Sequence, residues 1–446
     1  MKKILLIVDI KSRDLPSLAL IGYFLKKKYE IIYRRVDEIE YQTNVKFDCV
    51  ILPKMNRFDD AFKFFVLDTL KKKKKIICIE NEGNISANIK KKFFILPDLY
   101  FLWGRTQQRK YKKVFTNKTA FKVLGNPRLD FFHHKFKELL IDKKEFLETN
   151  NLKDQFCLTF TTRTQEAHKD KKLISKIMNR RQFMYKESKN YFSDYVKSSK
   201  TMLKFTSNLL YKINKKFPNV NILIKPHPGE NLKYWNYLEK KISNLKIVKG
   251  LTIENFLNLS DLNISHNLCS STFEAKLLNI PTIELQTNFF KKYFSKIHQN
   301  IADDVTIKSE KIISIINKEY KKKNKKRNQN KKIYNYVKSF FFKFDGERCR
   351  DYAKNIDIFL KKKKHNQYKL NKSQIDILSR LKKKFTEKKK SREEKKFNYK
   401  KLIKKFLVKL NLISNYDSRY RFDHRYEICD EIKWYKKFDK LLLKDI

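Results

Sequence analysis

Short apolar runs recur along the first 290 residues, spaced so that a helix fits between each pair. Ile4-Leu-Leu-Ile-Val-Asp-Ile10, Glu30-Ile-Ile-Tyr33, Cys49-Val-Ile-Leu52, Lys75-Ile-Ile-Cys-Ile79 and Leu99-Tyr-Phe-Leu-Trp103 are nearly continuous in apolar character, with little period-two alternation. A strand that is apolar on both faces belongs inside a parallel sheet covered by helices on both sides. Helical spacing over Leu15–Lys28 and Phe58–Leu70 supplies that cover. A second block repeats the pattern with Phe156-Cys-Leu-Thr-Phe160, Val220-Asn-Ile-Leu-Ile224, Leu245-Lys-Ile-Val248, Leu262-Asn-Ile-Ser265 and Thr282-Ile-Glu-Leu285, separated by helices near Met202–Lys216 and Leu232–Ile242. The fold class expected is α/β, with two Rossmann-like domains at 1–148 and 149–362. Ligands of such folds bind outside the carboxyl ends of the strands, in the cleft that two sheets in tandem create.

The remainder, 363–446, shows no strand alternation and is expected to be a basic, mainly helical extension. Proline is absent after Pro281, and Gly346 is the sole glycine after Gly250. The lysine-rich stretch Lys321–Lys332 reads as a surface loop or a frayed helix, and Asp345-Gly-Glu-Arg-Cys-Arg350 opens a helix to Leu360. Within 400–413, Leu402, Ile403, Phe406, Leu407, Leu410 and Ile413 share one side and lysines the other. That helix suits either an anionic bilayer surface or packing on its own domain. On the bilayer reading, a chain ending near residue 365 is expected to stay folded and to lose binding to vesicles containing anionic lipid.

The chemistry concentrates in two places. Ile222-Leu-Ile-Lys-Pro-His-Pro-Gly-Glu230 is a strand stopped by prolines that fix a loop around His227. Some forty residues on, Ser260-Asp-Leu-Asn-Ile-Ser-His-Asn-Leu-Cys-Ser-Ser-Thr-Phe-Glu-Ala275 is a strand, a turn and a helix start. Amides and hydroxyls at a helix N-terminus beside an imidazole form a phosphate site. Ser270, Ser271 and Thr272 can equally be an ordinary N-cap, and His227 a turn residue.

Composition narrows the partners less than it first suggests. The formal net charge is +56, from 104 basic and 48 acidic residues in 446. The lysines are diffuse, so much of the charge reads as compositional drift on solvated faces and the remainder as attraction to an anionic membrane surface or an acidic glycan. A nucleic-acid module would cluster basic residues with interleaved aromatics on one element, so no specific nucleic acid is expected. Six cysteines without a C-x-x-C pair argue against a zinc site or disulfide framework and suit a reducing cytoplasm. Asp9 interrupts the first apolar run too early for a signal peptide. No G-x-G-x-x-G, Walker loop or D-x-D occurs, so no cofactor and no bound metal are expected.

Over roughly residues 1–362 the chain resembles bacterial surface-carbohydrate biosynthesis proteins, glycosyltransferases of the GT-B type. Ile79-Glu-Asn-Glu-Gly83 resembles the acidic-acidic-Gly motif of CMP-sugar-dependent transferases, with Asn81 where the first acid usually stands. Leu124-Gly-Asn-Pro-Arg-Leu-Asp130 resembles their Gly-x-Pro-Arg-x-Asp segment, Lys225-Pro-His-Pro228 their His-Pro motif and Ser270-Ser-Thr272 their serine/threonine motif. Asp345-Gly-Glu347 resembles the start of the closing helix that returns to the first domain. The resemblance implies Glu82, or Glu80, as the catalytic base. It implies Lys225, His227 and Pro228 as the phosphate loop, Ser270, Ser271 and Thr272 as the helix-terminal cradle, and Glu274 as a contact to ribose or base. It further implies a CMP-linked sugar acid as donor, a glycan or lipid-linked acceptor, and a cytoplasmic enzyme, peripheral to the membrane if 400–413 binds it.

The same islands resemble polyol-phosphate transferases that use CDP-glycerol, and less closely the non-hydrolysing UDP-sugar epimerases. From a different class, a non-catalytic basic nucleic-acid- or membrane-binding module would bind oligonucleotide in a salt-sensitive way without turning over any donor.

Overall fold

The computed structural model describes residues 1–36, 45–53, 60–80, 97–112, 119–167, 175, 191–266, 269–293, 301–322, 331–362, 370–394 and 430–442. The chain divides into two compact units. The first opens with β1 (Lys3–Val8), α1 (Lys11–Leu25), β2 (Glu30–Arg35), β3 (Cys49–Leu52), α2 (Asp60–Lys71), β4 (Lys75–Ile79), β5 (Leu99–Leu102), α3 (Arg105–Lys112) and β6 (Ala120–Val123). Its six-stranded sheet runs β2-β1-β3-β4-β5-β6, and every pairing is parallel. Because β1 connects outward to β2 and β3 connects the other way to β4, right-handed crossovers place α1 and α2 on opposite faces. Leu5, Val50, Phe65 and Ile76 form the centre of the core beneath α2.

The second unit holds α4 (Lys143–Thr149), β7 (Phe156–Thr161), α5 (Tyr191–Lys216), β8 (Val220–Lys225), α6 (Leu232–Lys241), β9 (Leu245–Ile247), α7 (Ile253–Asn258), β10 (Leu262–His266), α8 (Ser270–Leu277), β11 (Thr282–Leu285), α9 (Asn288–Tyr293), β12 (Asp304–Val305) and α10 (Ser309–Lys321). This six-stranded sheet runs β12-β11-β10-β7-β8-β9, again all parallel. Phe160, Leu210, Ile222, Trp235 and Ile264 anchor its core.

After α11 (Lys331–Phe340) the chain adds α12 (Arg348–Lys361), α13 (Lys372–Glu394) and α14 (Asp430–Leu442) to the first unit. The compact units therefore differ from boundaries drawn at 148 and 362. The late helices carry apolar faces that the first unit's α1 and α2 cover: α12 and α14 pack on α1, and α13 on α2. The amphipathic segment 400–413 and Glu82 lie outside the described residues. Among the described residues, no helix is long and apolar enough to cross a membrane.

Two strands escape the sequence pattern. The edge strand β6 is half exposed and carries Lys122, and β12 is two residues long. Helix α1 starts at Lys11, four residues before the expected Leu15 and ahead of Pro16. Asp14 makes this possible, because its carboxylate accepts a hydrogen bond from the Ile10 N–H at 2.9 Å and satisfies a donor that the first turn leaves open.

Candidate functional site

The second sheet reverses direction at β7. From there the chain builds outward through β8 and β9, then returns to the other side of β7 for β10, β11 and β12. A doubly wound sheet accepts ligands at such a switch point, outside the carboxyl ends of the strands. At that edge the exits of β8, β7 and β10 lie side by side, each about 5 Å from the next. They deliver the loop around His227, the loop Thr162-Arg-Thr164 and the start of α8.

The β8 exit is tightly organised. The His227 Nδ1 accepts from the Gly229 N–H at 3.1 Å, which leaves its proton on Nε2 as a donor. The His227 N–H in turn donates to Thr162 Oγ1 at 3.3 Å. Glu230, buried at the end of the loop, joins it to the neighbouring strand exit. Its carboxylate accepts from the Thr162 hydroxyl at 2.6 Å, the Thr164 N–H at 2.5 Å and the Trp235 indole at 2.7 Å. Burial raises the Glu230 pKa to about 7, against these donors, which favour the charged form. Pro228 is half-buried beside His227 and holds the turn.

Arg163 projects from the middle of this bracketed loop. Its guanidinium carbon lies 5.5 Å from the centre of the Phe290 ring. Burial opposes its charge, but interactions with Tyr195 and with Cys269 hold its pKa above the ordinary value. Cys269 is the N-cap residue of α8 and makes no side-chain capping bond. A permanent cation thus stands beside a helix N-terminus whose N-cap side chain leaves the first amides open, a pairing that suits phosphate.

The expected site residues fare differently. Ser270 is exposed at the first position of α8. Ser271 and Thr272 were expected to turn their hydroxyls to the phosphate, but both are buried and tie α8 to the sheet. Ser271 Oγ bonds Thr161 Oγ1 at 2.7 Å, and Thr272 Oγ1 bonds Ser265 Oγ at 2.5 Å. Glu274 is also buried, inside the helix that was expected to present it. The Lys225 ammonium donates to the Leu251 carbonyl, fastening the β9–α7 connection instead of facing a phosphate. Desolvation lowers its pKa to about 8, with Glu254 opposing the shift.

In the first unit, Glu80, expected as the alternative to Glu82 for the base, is buried among aromatic side chains. It is 1% exposed, it accepts from the Tyr100 hydroxyl and, at 3.0 Å, from the Tyr111 hydroxyl, and its carbonyl accepts from the Trp103 indole. Arg163, Glu230 and His266 were missed by sequence reasoning. Only Arg163 left a trace, as a basic residue three places beyond the apolar strand end at Phe160.

No family model matches the chain, and no curated protein matches it. Among solved structures, the wall teichoic acid polymerase TagF, H548A variant, aligns with a TM-score of 0.51 at 10% identity, over 81% of this chain and 89% of that one. The UDP-GlcNAc 2-epimerase of Methanocaldococcus jannaschii, in complex with UDP-GlcNAc and UDP, aligns at 0.49 and 15% identity, over 80% and 99%. The S. aureus MnaA–UDP structure aligns at 0.47 and 12% identity, over 81% and 97%. Together with the two parallel sheets, the TagF likeness assigns a two-domain α/β fold of the GT-B type.

Proposed function

We propose that this chain is a GT-B enzyme of surface-glycan assembly that binds a nucleotide-activated donor at the exit edge of its second sheet. The leading donor is a CMP-linked sugar acid, and the acceptor a glycan or lipid-linked glycan at the inner membrane face. The observation that carries this reading is the placement of Arg163 between His227 and the start of α8 at the switch point. When a sugar leaves a nucleotide, negative charge grows on the departing phosphate. A fixed guanidinium, an Nε2–H and helix-terminal amides stabilise that charge without reorganising. Glu82 is proposed as the general base on the strength of its motif.

The test is calorimetric titration with CMP, CDP and UDP. Binding of CMP ahead of UDP, weakened about tenfold in His227→Ala and more in Arg163→Ala, supports the reading, since each removes a charge-assisted contact. UDP preference would remove the cytidine assignment, and no nucleotide binding would remove the function. A second reading, polyol-phosphate transfer from a CDP-linked donor, draws support from the likeness to TagF, a wall teichoic acid polymerase. That transfer cleaves the pyrophosphate and also releases CMP, so it is distinguished by turnover: CDP-glycerol consumed, CMP released and a phosphodiester formed in the product.

A further inference from the structure

His266 ends β10 with no solvent exposure, yet its ring is not packed as a mere apolar filler. Nδ1 accepts a hydrogen bond from the Arg163 N–H at 3.3 Å. Nε2 lies 3.2 Å from Thr206 Oγ1 on α5. The Thr206 hydroxyl spends its proton on the Met202 carbonyl, 2.8 Å away, so toward the imidazole it can only accept. That fixes the tautomer: the proton sits on Nε2 and the Nδ1 lone pair faces Arg163. Burial drives the His266 pKa down to about 3, so the ring stays neutral and Nδ1 stays an acceptor at any ordinary pH.

The consequence falls on one residue. Thr162 and Thr164, on either side of Arg163, are both bound to Glu230. The backbone N–H between them is taken by His266. The guanidinium is bonded to Tyr195 and lies over Phe290, and the peptide N–H that a surface loop would leave to water is fixed separately. Here the peptide that carries Arg163 is held from β8's side and from β10's side together.

We propose that His266 is a positioning residue that holds the Arg163 backbone so that its guanidinium is preset for the phosphate of a nucleotide ligand. This rests on the nucleotide reading above. Its chemistry is a hydrogen bond of fixed polarity, relayed from Met202 through Thr206 and the imidazole to the Arg163 peptide. Preorganisation of this kind removes part of the ordering cost that a mobile side chain bears on binding.

Two substitutions separate the halves of the ring. In His266→Asn the amide oxygen stands close to the place of Nδ1 and keeps the acceptor for Arg163, while the contact to Thr206 is lost. In His266→Gln the terminal amide reaches the place of Nε2 and keeps Thr206, while the acceptor for Arg163 is lost. Asn is smaller than Gln by a methylene and leaves the larger cavity at this buried site, so a general packing defect would weaken His266→Asn more, the opposite of the order expected here. Affinity is measured for the tightest-binding of CMP, CDP and UDP, with a thermal melt of each variant beside it.

His266→Asn should bind within about twofold of the wild type, and His266→Gln should bind roughly three- to tenfold more weakly, the effect of one hydrogen bond. In an Arg163→Ala background, His266→Gln should cause no further loss, because the residue it positions is gone. Equal losses in the two histidine variants, or a His266→Gln loss that persists without Arg163, would overturn the inference while leaving nucleotide binding intact. Unchanged affinity in Arg163→Ala would overturn it as well, since the arginine would then not be the ligand. Absence of binding to all three nucleotides in the wild type would instead defeat the underlying functional reading and the inference with it.

Discussion

Asp130 sits 1% exposed at the start of α12, where its two oxygens accept the Arg348 N–H at 3.0 Å and the Cys349 N–H at 2.7 Å. It caps a helix that begins more than two hundred residues later. Burial raises its pKa to about 7, although these amides and the nearby Arg348 charge pull the other way. A carboxyl whose folded pKa lies above its unfolded value binds its proton more tightly when folded. Its contribution to stability is therefore full below about pH 4 and is lost as pH rises to about 7. The stability difference between wild type and Asp130→Asn, followed by urea melts, should fall across that window and level off above it. A pH-independent difference would show that the carboxyl is ionised throughout. Glu82 yields a separate prediction: Glu82→Gln should keep nucleotide affinity and reduce turnover about 10²–10⁴-fold, the usual contribution of a general base. Equal turnover in the variant would remove that role. The loop around His227 was legible at this scale because His227 sits between prolines. His266 and Glu230 were not, because their partners at Thr162, Arg163, Thr164 and Thr206 lie some 60 to 100 residues away in sequence. Nothing local marks a buried polar residue as satisfied from so far.

Helix α12 shows the same long-range logic applied to a whole element. Its N-terminal amides meet Asp130, and its last carbonyls meet lysines: Lys75 Nζ donates to the carbonyls of Phe359 at 3.1 Å and Lys362 at 3.0 Å, and Lys2 Nζ to that of Leu360 at 3.3 Å. Acceptor oxygens at the start and cations at the end suit the helix dipole. The middle is fixed as well. Tyr352 donates to the Gly125 carbonyl at 2.8 Å, and Arg348 Nη1 to that of Leu124 at 3.0 Å. Gly125 has φ +89°, and a Cβ there would lie 2.9 Å from the Arg348 side chain, so only glycine lets α12 approach so closely. Lys75→Gln should destabilise the first unit by about 1 kcal/mol, read as a shifted urea midpoint with unchanged slope. No shift would mean that Lys2 and solvent satisfy the carbonyls alone. Strands such as Cys49–Leu52, Lys75–Ile79 and Thr282–Leu285 were read from sequence to the residue, because continuous apolar runs have sharp ends. The partner of α12 was expected only through a family resemblance, since an amphipathic period names the buried face and not what buries it.

At the scale of the molecule, the C-terminal helices change what the first unit is. The sequence gives α13 and α14 so many lysines that they read as an appendage, and a chain ending near residue 365 was expected to fold. In the structure Leu378 and Leu381 of α13 are 5% and 2% exposed and belong to the same core as Phe64 and Phe65 of α2. Phe64 and Phe385 have ring centres 5.2 Å apart, and Lys384 pairs with Asp60 at 2.6 Å. On the other face Phe438 of α14 is fully buried. Trp434 meets Phe131 edge to face at 5.7 Å, and Tyr435 bonds Tyr33 at 2.8 Å. Since α1 and α2 cover opposite faces of the sheet, the tail closes the unit from both sides. Each large apolar side chain so buried contributes roughly 1.5–3 kcal/mol, and a domain's whole stability is only about 5–15 kcal/mol. Removing 366–446 should therefore unfold the first unit or lower its melting temperature by more than ten degrees, about what losing several such side chains implies. The second unit serves as an internal control, because nucleotide affinity should survive there. Leu381→Ala and Phe438→Ala, each costing about 2–5 kcal/mol, test the two faces separately without truncation. A truncated chain that melts as the full one does, with both point variants silent, would return α13 and α14 to the status of an appendage.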